Sequence, residues 1–138
     1  MKRLSSLFTI LVLLIMVLLG PALGAEEKKF VAMADQDGIQ RIEMTSGSYF
    51  FNPNYVIVKA NVKVELKISK ESSMTPHDIE MKSPEAGMEF SEGLTSTPKI
   101  ISFTPTKPGK YPFFCGKKLP FAKSHREHGM EGIIEVVP

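Results

Sequence analysis

The stretch NVKVELKIS, residues 61–69, alternates apolar and polar side chains without interruption. Valine, leucine and isoleucine fall on one face of an extended chain, and lysine, glutamate and serine fall on the other. This period of two predicts a β-strand with one face buried and the other in water. Segments of similar length and composition lie before and after it, so the same interpretation extends to most of the chain.

Short β-type segments follow one another, with turn residues between them. Proline marks many of the junctions, and proline is confined to connections or edges because it cannot donate to a central ladder. No stretch has a convincing helical period, although residues 84–91 have room for a single turn. About eight short strands at this spacing predict an all-β protein, a sandwich or a barrel. The expected strands cover residues 29–34, 39–44, 55–60, 62–68, 77–81, 99–103, 110–115 and 132–137.

The first 24 residues are typical of an export signal. Lys2 and Arg3 precede an apolar run over residues 7–19, and small residues follow it, with Ala22 and Gly24 spaced for cleavage. The run is shorter than the roughly 18–20 residues that span a membrane. We therefore expect cleavage and a single exported domain over residues 25–138, in the periplasm or on the outer face of the cytoplasmic membrane. An uncleaved anchor is the alternative, and the only membrane contact we expect.

The charge balance argues against a nucleic-acid partner. The chain has 17 basic and 15 acidic residues. Two of the basic residues belong to the signal, so the mature domain is about neutral. A nucleic-acid binder would instead show a basic stripe.

A single cysteine, Cys115, lies in the segment YPFFCGKKLPFAKSHREHGMEG, residues 111–132. Oxidising compartments normally pair cysteines, so a lone one in an exported chain calls for another role. The same segment contains two histidines and a methionine. Thiolate, imidazole and thioether are the ligands that select copper over hard cations, so a second histidine from elsewhere would complete a mononuclear copper site.

This segment resembles the ligand loop of the cupredoxins, the plastocyanin and azurin family of blue copper proteins. In that family a cysteine ends one strand, a histidine and a methionine lie on the loop entering the next, and an earlier histidine often follows a proline. The stretch MTPHD, residues 74–78, supplies such a pair. The resemblance implies a Greek-key β-sandwich with one type 1 copper ion, which alternates between Cu(I) and Cu(II). By position, it implies His77, Cys115 and His125 as strong ligands and Met130 as a weak axial one.

Two alternatives concern the ligand set. His128 leaves one residue before Met130, too short a link for both side chains to reach one metal, so we favour His125 and expect His128 to be an exposed loop residue. A binuclear centre like that of cytochrome oxidase subunit II needs a second cysteine four residues after the first. Position 119 is leucine, which excludes it.

The sequence departs from the family pattern in the long loop over residues 116–124 and at Asp78. Plastocyanin-like proteins often carry asparagine after the first histidine; aspartate accepts the same backbone donors, but its charge favours Cu(II). In the family, the edge of the second histidine usually reaches the surface within an apolar patch. The loop supplies an expected patch and a basic ring around it, formed by Leu119, Pro120, Phe121, Lys117, Lys118, Lys123 and Arg126.

The resemblance implies electron transfer and no catalysis by the protein alone. The basic ring predicts a redox partner with an acidic rim around an apolar centre, such as a cytochrome or an oxidase. A copper carrier or buffer that supplies a copper enzyme is the alternative, which Met74 and Met81 beside His77 keep open. A third hypothesis is an enzyme with an open coordination position, which requires the long loop to hold His125 away from the metal.

Overall fold

The computed structural model describes residues 26–138, so the predicted export signal lies outside the described residues. Within this range the chain forms ten β-strands and two short 3-10 turns, at Pro84–Ala86 and Arg126–His128. No helix in the described range is long and apolar enough to cross a membrane. The strands are β1 (Lys29–Val31), β2 (Gln40–Gly47), β3 (Phe50–Asn52), β4 (Tyr55–Lys59), β5 (Val64–Lys70), β6 (His77–Ser83), β7 (Met88–Leu94), β8 (Lys99–Phe103), β9 (Gly109–Phe114) and β10 (Glu131–Val137).

The strands form two sheets, in the orders β1-β4-β10-β9-β6-β7 and β3-β2-β5-β8. The alternation over residues 61–69 has the predicted effect, since Val64, Leu66 and Ile68 are buried and Lys67 is exposed. Buried side chains of both sheets join in one apolar cluster. The all-β sandwich predicted from the sequence is confirmed.

Two strands, β3 and β7, are additional to the eight expected. Residues 84–91 begin with the single turn that the sequence allows, but Gly87 ends it at φ +74° and β7 follows at once. β7 is the edge strand of the larger sheet, and within its range only the two end residues, Met88 and Leu94, are buried. Its hydrophobic alternation is weak for this reason.

The topology brings the connections that carry the candidate ligands to one end of the sandwich. β9 pairs antiparallel with both β6 and β10, so the start of β6, the end of β9 and the start of β10 lie together. The turn between β2 and β3 lies at the same end, because β2 pairs parallel with β5 and Ser46 is opposite Lys70. We call this the ligand end: residues 47–49, 71–77, 95–98 and 115–130.

Candidate metal centre

Three of the four predicted ligand side chains converge at the ligand end. The Nδ1 atoms of His77 and His125 are 3.1 Å apart. The Sγ atom of Cys115 lies 3.4 Å from Nδ1 of His125 and 4.0 Å from Nδ1 of His77. All three residues are buried. The structure therefore places one sulfur and two imidazole nitrogens around a common point.

This triangle of donor atoms fits a metal ion. Bonds of about 2.0 Å to imidazole nitrogen and about 2.3 Å to thiolate sulfur, as zinc makes them, span a triangle of this size. The donor types favour copper, because one thiolate and two imidazoles with a weak thioether make a blue-copper set. Met130, the predicted fourth ligand, is fully buried. Its carbonyl accepts from the Cys115 amide at 3.0 Å, and its own amide donates to the His125 carbonyl at 3.0 Å.

The long loop after Cys115 leaves the sandwich and returns His125 to the thiol. An isolated antiparallel bridge between Lys118 and Ser124 joins the two ends of this loop. The His125 amide then donates to the Lys117 carbonyl at 2.9 Å. The loop therefore does not hold His125 away from the thiol, which is the arrangement that the third hypothesis requires.

Asp78 connects the two segments that carry His77 and Cys115. Its amide lies 3.5 Å from Cys115 Sγ, towards which it donates. Its carboxylate Oδ1 accepts a hydrogen bond from the Gly116 amide at 2.6 Å, and Oδ2 lies 3.4 Å from Lys117 Nζ. The aspartate thus accepts a backbone donor from the opposite ligand segment, as the sequence predicts.

Burial sets the protonation of the donor groups in the metal-free protein. It lowers the pKa of His77, with further lowering from His125, and it also lowers the pKa of His125. Burial raises the pKa of the Cys115 thiol. The imidazoles are therefore favoured in the neutral form that binds metal, while the thiol keeps its proton until a cation displaces it.

An aromatic ring packs against the largely buried His125 imidazole. The residue is only 2% exposed. The Tyr49 ring meets the His125 ring edge-on, with centroids 5.1 Å apart and an interplanar angle of 80°. His128 is exposed, as predicted, but its ring stacks on Tyr49 at 4.4 Å. The sequence gives little sign of Tyr49 beyond an aromatic residue in a turn.

The predicted apolar patch is exposed. Leu119 is 55% exposed, and Phe121 is as exposed as in an extended chain, at 109%. Two of the basic residues around this patch form ion pairs with acidic residues outside it. Arg126 lies over the Phe114 ring at 4.2 Å and pairs with Glu131 at 2.8 Å. Lys117 pairs with Asp78, whereas Lys118 and Lys123 are exposed residues of the loop itself.

The two methionines beside His77 do not form a second thioether site. Met81 is fully buried in the core, and Met74 is fully exposed. Their side chains therefore do not share an environment, and Met74 alone remains as a soft ligand at the surface.

Comparison with known proteins agrees with this fold. The family model for the cupredoxin-like domain matches residues 8–125, which stops short of Met130. A search of curated proteins found no match.

Several solved structures share the fold at low sequence identity. The metal-binding domain of the Cu(I)-exporting P-type ATPase of Streptococcus pneumoniae D39, solved with Cu(I), has a TM-score of 0.62 at 19% identity, covering 83% of this chain and 100% of that one. A copper binding protein in the apo form has a TM-score of 0.58 at 21% identity, covering 83% and 100%. Auracyanin B has a TM-score of 0.54 at 14% identity, covering 78% and 94%. Identities this low show the fold alone.

Proposed function

The chain belongs to the cupredoxin-like domain family, and on that basis we propose that it is an exported electron carrier with one type 1 copper ion. The convergence of His77 Nδ1, His125 Nδ1 and Cys115 Sγ in a buried triangle carries the proposal. Met130, buried between the segments of Cys115 and His125, is the proposed axial ligand. Trigonal coordination with a weak thioether lies between the preferences of Cu(I) and Cu(II), so a bound ion changes charge with little movement.

The protein contributes a rigid and dry environment for that change of charge. His77 begins β6 and Cys115 follows β9, so both are held by strands inside the larger sheet. Asp78 links their segments through the Gly116 amide. Ligands positioned by a packed sheet move little when the charge changes, which favours fast electron exchange.

The site is tested by the spectrum of the copper-loaded protein. We expect the intense visible absorption of a copper–thiolate centre and reversible one-electron reduction. Cys115→Ser and His125→Ala should abolish the absorption, whereas His128→Ala should retain it. A colourless Cu(II) form of the parent protein would overturn the proposal. Loss of the site in His128→Ala and not in His125→Ala would overturn the ligand assignment.

The proposed partner is a redox protein with an acidic rim around an apolar centre, such as a cytochrome or an oxidase. The apolar patch of Leu119 and Phe121 beside the exposed Lys118 and Lys123 supports it by charge and apolar complementarity. Encounters of this kind need electrostatic steering and fast release, which a small patch with a charged rim supplies.

Copper delivery is the second candidate function, and the exposure of Met74 favours it. This thioether lies fully exposed in the connection that leads to His77. A soft ligand at the surface suits capture of Cu(I) from a donor. If the protein is a carrier, its Cu(I) form should pass the ion rapidly to a Cu(I) chelator, and Met74→Ser should slow the transfer. Slow transfer that is insensitive to Met74 would exclude delivery through this residue.

A further inference from the structure

Tyr49 occupies an unusual backbone conformation in the turn between β2 and β3. Its φ is +62°, in the left-handed region that residues other than glycine rarely adopt. The turn around it is tight, since a Cβ atom added at Gly47 would clash with the Phe50 ring. A strained conformation of a bulky residue points to a use for its side chain.

The Tyr49 side chain lies between a buried candidate ligand and an exposed histidine. Its ring contacts His125 edge-on at 5.1 Å on one side and stacks on His128 at 4.4 Å on the other. Exposure rises through this series, because His125 is 2% exposed, Tyr49 is 39% exposed and His128 belongs to the exposed class. The aromatic pair therefore lies over one side of the His125 imidazole and extends towards the solvent.

We propose that Tyr49 and His128 form a cover that closes the metal centre to external ligands and slows exchange of its ion; for the ion itself, this rests on the proposed copper function. Tyr49 supplies the covering ring, and the stacked His128 holds that ring in place. Both act as positioning residues. A closed centre suits electron transfer, which needs no new ligand, and opposes delivery, in which an incoming ligand must reach the ion.

Because Tyr49 has a left-handed φ, its replacement by glycine can test the ring without straining the backbone. Tyr49→Gly removes the ring and also relieves the backbone, because glycine adopts positive φ without steric cost. The variant should be at least as stable as the parent protein in urea unfolding. If the Tyr49 ring served only to stabilise the fold, its removal would lower the free energy of unfolding. Unchanged stability together with a more accessible centre would therefore assign the ring to closure of the site.

The first experiment needs no metal. Cys115 is the single cysteine and is fully buried, so its alkylation by iodoacetamide in the metal-free protein reports opening of the centre. We expect Tyr49→Gly to raise the alkylation rate by about tenfold, since local opening governs the reactivity of a buried group. Tyr49→Phe should react like the parent, and His128→Ala should fall between them. Phe30→Ala removes an aromatic residue that is 40% exposed on β1, and should change nothing. Equal rates for Tyr49→Gly and the parent would overturn the cover.

The second experiment uses the copper-loaded protein. Tyr49→Gly should lose Cu(II) to excess EDTA about tenfold faster and should change its visible spectrum on addition of azide, because both reagents need access to the ion. Tyr49→Phe should resist both. A parent protein with no copper–thiolate spectrum would refute the proposed function, while the alkylation result would still decide whether the cover exists. A normal spectrum with unchanged EDTA and azide behaviour in Tyr49→Gly would refute the cover alone.

Discussion

The Asp78 carboxylate accepts a hydrogen bond of 2.6 Å from the Gly116 amide, across the gap between the two ligand segments. Each partner directly follows a candidate ligand in sequence, His77 in one case and Cys115 in the other. The bond therefore fixes the separation of an imidazole and a thiol. The second carboxylate oxygen lies 3.4 Å from Lys117 Nζ, so the negative charge beside the centre is partly balanced.

We expect Asp78→Asn to raise the reduction potential of the copper-loaded protein, by on the order of tens of millivolts. The amide oxygen can still accept from Gly116, so the fold is kept while a negative charge that favours Cu(II) is removed. Lys117→Gln removes the balancing charge and should lower the potential. Redox titration of both variants measures the two shifts, and a shift of the same sign in both would contradict this electrostatic account.

Asp78→Ala separates the hydrogen bond from the charge. It leaves the Gly116 amide without its partner, and we expect the free energy of unfolding of the metal-free protein to fall by about 1.5–3 kcal/mol, as for other hydrogen bonds to charged groups. Urea unfolding of Asp78→Ala beside Asp78→Asn measures the difference. Equal stability of the two variants would show that the bond contributes little.

The metal-free protein should lose stability on both sides of neutral pH. Burial lowers the pKa of His77 and His125 from 6.5, so the unfolded chain binds more protons as the pH falls through 6.5, and folding is opposed. Burial raises the pKa of Cys115 above 9.0, so the unfolded chain loses the proton first as the pH rises past 9.0. Urea unfolding across this range should give a plateau between two declining limbs.

The Cys115→Ser variant provides the control for the alkaline limb. Serine keeps its proton in this range, so the alkaline decline should shrink while the acidic decline stays. Hydrogen bonds from Arg41 and Ser124 lower the pKa values of Asp37 and Glu127, respectively. These carboxylates therefore titrate at more acidic pH and do not contribute to the decline in stability near pH 6.5. A metal-free protein that gains stability as the pH falls from 6.5 would contradict the burial of neutral imidazoles.

Local patterns in the sequence predicted most of the strands and the segments that carry the candidate ligands. The alternation over residues 61–69 is strong because β5 lies inside its sheet, between β2 and β8, with one face in the core. β7 was missed because an edge strand buries little beyond its two ends. The gathering of His77, Cys115 and His125 was inferred from family resemblance, and their separations come only from the pairing of β6, β9 and β10.

The contacts made by Tyr49 lay beyond what the sequence could predict. Tyr49 precedes β3 by one residue and reaches His125 across 76 positions of chain only because β2 and β5 are parallel neighbours. The residue that packs on His125 therefore comes from a turn of the other sheet. Long-range packing of this kind has no local pattern to mark it.

Met130→Leu tests the axial position. Leucine has a similar volume, so we expect a loss of less than about 1.5 kcal/mol at this fully buried site. The visible absorption should persist because the thiolate and both imidazoles remain. Removal of the thioether should raise the reduction potential, measured by redox titration. Loss of the absorption would show that Met130 is required to bind the ion. That result would contradict its role as a weak axial ligand.

Lys118 and Lys123 are expected to steer anionic partners towards the ligand end. Removing both as alanines should slow oxidation of the reduced protein by hexacyanoferrate(III) at low ionic strength and flatten the dependence of the rate on salt. The matched control replaces Lys63 and Lys107, which precede β5 and β9 at the opposite end of the sandwich. Equal salt dependence in the two double variants would show that net charge, and not its position, sets the rate.

Gln40 is expected to stabilise the sandwich without affecting the metal centre. It is 1% exposed, and its side chain accepts from the Lys59 amide at 2.7 Å and donates towards the carbonyls of Lys59 and Val62 at 3.2 and 3.3 Å. Gln40→Met keeps the volume but removes the side-chain partner of these part-buried backbone groups, so the free energy of unfolding should fall by about 1–3 kcal/mol.

The position of Gln40 makes this loss separable from copper binding. It begins β2, opposite Val64 at the start of β5, and so lies at the far end of the sandwich from Cys115. The visible spectrum and reduction potential of the copper-loaded variant should therefore match the parent. Gln36→Met, at an exposed position nearby, should change stability by less than about 0.5 kcal/mol. A spectral change in Gln40→Met would mean that the two ends of the sandwich are coupled. We do not expect this, because among the residues that the structure describes the Gln40 side chain bonds only Lys59 and Val62.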